Sequence, residues 1–409
     1  MAGGGGAGNT WIYVLVAGTV LCGAGYGLEI AHAGPHWLAV GCLALGGLGV
    51  VFGSCEAMIK CVEGVGERLS WNQFVAGTLA GLASNIPEIV MLGFVVAAAP
   101  RVAFVVVTLT LHVNALMFGV YSGLLPRDVK GQARLPEPLV KISTDLYAAG
   151  GGVFLATGLL MVLMTLFDTG DHRGEGFGVW DLYAIGLCLL FVQVVATTRL
   201  VKRFSAAEAE DAGAPDDPGD PSGPDDGEAA ARKEATGAPA GAPGWGKIAW
   251  FGLLGIGTSV LGGHAVGDFA DALVEGLNAA GYPEMVGAII LSLFAGAGAY
   301  VMIVTAHVKR MHDIALANVS GSITQVPFLV LPAVLLLIAA LNQLGVVPTL
   351  EYGSVLAIDL ETTSVVLLAF PPMLILWKSV QDDGKVNWVE TAGMVAVFGL
   401  NIYFLAQHG

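Results

Sequence analysis

The chain is short of charge. Only 12% of its 409 residues are Asp, Glu, Lys or Arg, while 55% are hydrophobic and the mean hydropathy is +0.73. Soluble domains carry about 25% charged residues, so an ordinary water-soluble class is excluded at the outset. The five cysteines (Cys22, Cys42, Cys55, Cys61, Cys188) include no CxxC pair and all lie in apolar stretches. That leaves buried thiols in place of a redox or metal centre. HExxH, GxSxG and P-loop signatures are missing too, so the sequence predicts no enzyme and no cofactor. The first apolar run has no basic n-region and is not read as a signal peptide; the Gly-rich start, residues 1–10, reads as disordered.

What the chain has is membrane-length segments. Eleven apolar stretches recur, roughly 11–31, 37–62, 73–98, 102–124, 145–167, 178–199, 247–275, 283–306, 314–342, 351–377 and 387–407. Each has about 20 residues, enough to cross a ~30 Å hydrocarbon core as a helix. With eleven crossings, 16 of the 18 Lys and Arg residues fall on one side, and only Arg101 and Arg173 on the other. Ten or twelve crossings would scramble that segregation. The basic side is cytoplasmic by the positive-inside rule, which puts the N-terminus inside and the C-terminus outside. The lack of a targeting segment suits a bacterial cytoplasmic membrane.

Part of the net charge of −15 comes from an acidic stretch, residues 201–246, rich in Pro, Gly, Ala and Asp. It has almost no large apolar residues to bury, so it reads as a disordered cytoplasmic linker. The predicted fold is therefore an all-α polytopic membrane protein of about eleven transmembrane helices. An extra N-terminal helix (11–31) precedes a five-helix repeat (37–200); the linker and a second five-helix repeat (247–409) follow. Transporters are often built from two halves of opposite topology that meet at a midplane site. The spacing agrees: Glu88 to Thr110 is 22 residues on spans three and four, and Tyr300 to Ser322 is 22 residues on spans eight and nine. Span three runs outward and span eight inward, so the pairs oppose in direction.

One element carries the chemistry. A-S-N-I-P-E (83–88) places a helix breaker and a carboxylate inside a membrane span. Pro87 has no N–H, so the carbonyl of Ala83 loses its helical partner. Glu88 costs about 2.5–3.5 kcal/mol at a span centre if ionised and unpaired. Ser84 and Asn85 share its helical face. Carboxylate, hydroxyl, amide and carbonyl oxygens suit a hard cation. A cation relieves the charge in one state and a proton in the other, which is the logic of antiport. Of the remaining acids, Asp268 and Asp271 on span seven are read as lining a cytoplasmic approach, and Glu361 on span ten as a possible access-path acid. Glu56, Glu63 and Glu67 on span two read as structural ion pairs, with Lys60 the partner of Glu56. His112 reads as a packing histidine.

At these residues the sequence resembles the cation/calcium exchanger superfamily. F-G-S-C-E-A-M-I-K-C-V-E-G-V-G-E-R-L-S (52–70) followed by A-S-N-I-P-E is similar to its sodium/calcium and bacterial members. K-R-M-H-D-I-A-L-A-N-V-S-G-S-I-T-Q-V-P (309–327) and Q-D-D-G-K-V-N-W-V-E-T (381–391) look more like the calcium/proton branch, as does the acidic loop after span six. The resemblance implies ligands at Ser84, Asn85, Glu88, Thr110 and Asn114 in the first repeat, and at Ser322 and Gln325 in the second. The second repeat is atypical. Where the family has a second glutamate after G-N-A-A, this chain has G-A-G-A and then Tyr300, a phenolic oxygen with no charge at neutral pH. The implied function is secondary antiport of small inorganic cations across the bilayer, calcium against protons, centred on Glu88. Sodium coupling, a monovalent or magnesium cargo, or a transport-inactive scaffold or sensor stand beside it. No nucleic-acid partner is expected.

Overall fold

A chain inside hydrocarbon must satisfy its backbone internally, and helices are how this sequence does so. The computed structural model describes residues 10–32, 34–69, 73–166, 176–211, 243–308, 310, 312–350, 353–381 and 384–408. The helices are α1 (Thr10–Ile30), α2 (His36–Arg68), α3 (Gln73–Ala98), α4 (Pro100–Leu124), α5 (Glu137–Leu166), α6 (Val179–Asp211) and α7 (Trp245–Ala279). After them come α8 (Glu284–Ala295), α9 (Ala297–Val308), α10 (His312–Gln325), a π turn (Val326–Val330), α11 (Leu331–Gln343), α12 (Leu360–Leu367), α13 (Phe370–Gln381) and α14 (Trp388–His408). Among the described residues, ten stretches are long and apolar enough to cross a membrane, α10–α11 and α12–α13 each counting once. The α8–α9 pair makes an eleventh crossing in two pieces. Helix α6 continues to Asp211, into the segment expected to be linker. Residues 212–242 and the Gly-rich residues 1–9 lie outside the described residues.

Two short ladders tie the two halves together. β1 (Ala133–Arg134) pairs antiparallel with β4 (Lys385–Val386), so the α4–α5 and α13–α14 loops lie at one end. β2 (Phe177–Gly178) pairs with β3 (Ser354–Leu356), so the α5–α6 and α11–α12 loops lie together as well. Each pairing demands an even number of crossings between its strands. Counting α8–α9 as one crossing meets both conditions. The β1–β4 end carries Arg127, Arg134 and Lys385 and is the basic end; Arg101, at the α3–α4 turn, marks the other.

Helix α4 is the axis: 89% of its spanning stretch is buried, against 22% for α6. Around it the helices meet through small residues, as they must where lipid supplies no hydrophobic drive for association. A Cβ on Gly47 of α2 would come within 2.7 Å of Val266 on α7, and one on Gly262 of α7 within 3.1 Å of the Val51 backbone. Ser54 and Thr258 share a hydrogen bond of 2.8 Å across the same seam. Helix α1 docks on α2 in the same way, with Gly18 against the Gly46 carbonyl.

Pro87 does not interrupt α3, which runs unbroken through it. One proline removes one backbone hydrogen bond, and a helix held on both sides tolerates that. The interruptions fall in the second half instead. A one-residue turn at Gly296 separates α8 from α9. The π turn holds Pro327 and is closed by the Leu331 N–H on the Val326 carbonyl. The α12–α13 break precedes Pro371 and Pro372, and its carbonyls are taken up by other helices. Leu368 O accepts from Asn401 Nδ2 at 3.0 Å, and Val365 O lies 3.0 Å from Nε2 of the buried His112, which thus packs as expected.

Candidate functional site

Where α2, α3, α4, α10 and the Gly296 turn converge, they enclose a cavity of about 30 Å³. That is room for about one or two water-sized species. Helix α3 presents Ser84, Asn85 and Glu88 to it, three residues at helical spacing and therefore on one face. Helix α4 contributes Asn114 and α10 contributes Ser322, while Ala295, Gly296 and Ala299 form a wall without side-chain bulk. Helix α2 adds Cys55 and Glu56. Both halves of the chain supply polar groups.

The hydrogen bonds leave oxygen lone pairs facing the space. Ser84 Oγ donates to Gly81 O at 2.7 Å and Ser322 Oγ to Asn318 O at 2.9 Å, so each hydroxyl proton is spent on its own helix. Asn85 Nδ2 donates to Gly81 O (3.2 Å) and to Gln325 Oε1 (2.5 Å), bridging α3 to α10 and leaving Oδ1 free of these bonds. Tyr300 OH donates to Asn114 Oδ1 at 3.3 Å. Glu88 Oε1 is buried with no hydrogen-bond partner. Leaving a carboxylate oxygen unpaired away from water costs several kcal/mol, so something is needed to neutralise it. Among the described residues no group of three or more His, Cys, Asp and Glu side chains could hold a metal ion. The site offers few charges and several neutral oxygens, as suits a passing cation better than a resident one.

The neighbouring helices hold this face in place. Ser320 of α10 is hydrogen-bonded to Tyr147 (2.6 Å) and Ser143 (2.7 Å) of α5. The Cys55 thiol donates to Ser84 O at 3.3 Å, fastening α2 to α3. Between α4 and α9 there are two rungs: Asn114–Tyr300, and Tyr121–His307 at 3.4 Å, seven residues on along both helices. The two helices are therefore parallel. Since α3 turns directly into α4 at Ala99, α3 and α9 run in opposite directions.

Of the residues expected at the site, Glu88, Ser84, Asn85, Asn114 and Ser322 come together around the cavity. Gln325 reaches it through Asn85, and Tyr300 stands behind the Gly296 wall, bonded to Asn114. Thr110 is not brought in; its hydroxyl donates to Val106 O within α4 at 2.9 Å. Asp268 and Asp271 lie at the end away from the basic loops. Helix α7 starts at the basic end, and at about 1.5 Å per residue it has crossed the membrane by the time it reaches them. Asp271 lines a separate recess of about 340 Å³ with Val95, Ala99 and Val102, beside the α3–α4 turn. Asp268 accepts from Tyr26 OH at 2.9 Å. Glu361 pairs with Arg101, which also holds Asp359 (2.6 Å) and Glu284 (2.9 Å) at the end away from the basic loops. Sequence reasoning missed Glu56, whose i+4 spacing to Lys60 reads as a helix-surface pair.

Residues 247–407 match the family model described as sodium/calcium exchanger protein. No curated protein matches the sequence. The fold is similar to the solved H+/Ca2+ exchanger CAX, with a TM-score of 0.63 at 13% identity over 97% of this chain and 91% of that one. It is similar to the Ca2+/H+ antiporter protein YfkE (0.59, 14%, 98% and 99%). The sodium-calcium exchanger NCX_Mj is also similar (0.50, 13%, 87% and 95%). The family model therefore matches the second half of the chain, and the fold shared with these solved exchangers extends over almost its whole length.

Proposed function

We propose that the protein is a calcium/proton antiporter that works by alternating access, with the cavity around Glu88 as its ion site. The observation that carries this reading is the unpaired, buried Glu88 Oε1, which faces amide and hydroxyl oxygens from both halves. In the calcium-loaded state the carboxylate binds the ion, and Ser84, Asn85, Asn114 and Ser322 replace part of its water shell. In the return state a proton on Glu88 takes the ion's place, so the carboxylate never crosses bare. Protons are preferred to sodium because two neighbours with TM-scores of 0.63 and 0.59 are named as proton-coupled exchangers and the second half resembles that branch. The basic end faces the cytoplasm of a bacterial cell, with the N-terminus inside and the C-terminus outside.

The test is made on purified protein in liposomes with an acidic lumen, an internal calcium dye and an external calcium pulse. Calcium should enter as protons leave, and Glu88→Gln should abolish the signal. Uptake that survives in Glu88→Gln removes the site assignment. Uptake driven by a sodium gradient and indifferent to pH replaces the proton by sodium.

A further inference from the structure

The cavity has a second carboxylate, on a helix where the family resemblance does not look for one. Glu56 of α2 lines the same space as Glu88 of α3. It is held there by its neighbour, since the Cys55 thiol bonds Ser84 O and so turns this face of α2 toward the Ser84–Asn85–Glu88 face of α3. The surroundings are not those of a solvated acidic surface. Asn85 and Asn114 are 8% and 4% exposed, and Glu88 Oε1 is buried without a partner. We propose that Glu56 is the second negative ligand of a divalent cation in this cavity, replacing from α2 the charge that Tyr300 cannot supply from α9. This deepens the antiport reading and rests on it.

The argument is one of charge. With Glu88 alone, a bound divalent ion leaves the site at +1, and a single proton neutralises it on the way back. The two loaded states then differ by a full charge inside a membrane, where charge is expensive. With Glu56 included, one divalent ion against two ionised carboxylates sums to zero, and so do two protonated carboxylates. Both loaded states are neutral. Exchange of one divalent ion for two protons then moves no net charge and is indifferent to membrane voltage. Two carboxylates facing one small cavity also repel until a cation or protons arrive, which favours occupation. Lys60, one helical turn further along α2, is the cation that its own helix offers Glu56 when the cavity is empty.

The experiment measures equilibrium binding of radioactive calcium and sodium to the full chain in detergent, for the parent and three variants. Glu56→Gln should weaken calcium binding at least tenfold, about 1.4 kcal/mol, while sodium binding survives because Glu88 alone balances one charge. Glu56→Gln combined with Tyr300→Glu should regain calcium binding, since the charge returns from the opposite wall. If Glu56→Gln binds calcium within twofold of the parent while Glu88→Gln binds none, the cavity stands and Glu56 is not part of it. If Glu88→Gln also binds like the parent, it is the antiport reading itself that falls. A second measurement uses only the parent: calcium/proton exchange in liposomes clamped at different potassium diffusion potentials. A flux unchanged by voltage supports two carboxylates; a flux that accelerates with voltage overturns them.

Discussion

Replacing Arg101 by Gln removes the cation from a hub that, among the described residues, joins the starts of α4, α8 and α12. In the intact protein Arg101 Nε is 2.6 Å from Asp359, Nη1 is 2.9 Å from Glu284, and Nη2 bonds Glu361. The side chains are 28% exposed for Arg101 and 33%, 37% and 23% for Glu284, Asp359 and Glu361, so the hub is neither surface nor core. An exposed pair contributes about 0.2–1 kcal/mol and breaking a buried one costs about 3–5 kcal/mol. Three half-buried contacts, whose carboxylates repel one another once the guanidinium is gone, place Arg101→Gln at about 2–3 kcal/mol. Equilibrium unfolding in mixed micelles, followed by helical circular dichroism, reads this loss. Adding Glu361→Gln to the variant should recover part of it, because one of the repelling charges goes. Acid adds a sign. Burial works against the Asp359 carboxylate, but the Thr362 N–H and Arg101 outweigh it and hold its pKa below the ordinary 3.8. A depressed folded-state value means the stabilisation is full above about pH 4 and is lost as the pH falls through that lower value. In Arg101→Gln this acid-side loss should shrink. A destabilisation under about 0.5 kcal/mol, the size of an ordinary surface substitution, would refute the reasoning and leave the three helix ends to be held by packing alone.

Three further outcomes are expected. Gly296→Ala should cut the yield of monodisperse protein, because a methyl there lands on the Tyr300 phenol, and adding Tyr300→Ala should restore it; an unchanged yield for Gly296→Ala alone would mean that the phenol swings away freely. A double-mutant cycle between Asn85→Ala and Gln325→Ala should give a coupling of about 1 kcal/mol in unfolding, as for a buried neutral hydrogen bond; zero coupling would mean the two amides do not depend on each other. Gly262→Val should wedge α7 from α2 at a cost of about 1–3 kcal/mol and lower calcium flux with it; parent-like stability would show that the seam has slack.

Much of this architecture is legible in the sequence, and for identifiable reasons. Apolar length and the segregation of Lys and Arg are properties of whole segments, so spans and their alternation survive single-residue uncertainty. Glu88 announces itself because a carboxylate beside a proline is so costly at membrane depth. What was not legible depends on which face of a helix meets which neighbour. Glu56 and Lys60 at i, i+4 have the spacing of a surface pair, and only the Cys55–Ser84 contact shows that this face looks into the cavity. Thr110 has the spacing of a ligand, yet it is buried within the helix packing around α4 and does not line the cavity. The place of Asp271, in a recess beside the α3–α4 turn, depends on its height along α7 as well as on its face, and spacing gives only the face. The break at Gly296 was hidden because glycine also marks close helix packing, and nothing local distinguishes the two uses.

The room above Gly296 also couples two positions of the chain. The Tyr300 phenol fills the volume that a Cβ at 296 would need. A side chain at 296 therefore requires the phenol to move or position 300 to become small, so the two positions behave as one unit: what is permitted at either is decided by what stands at the other.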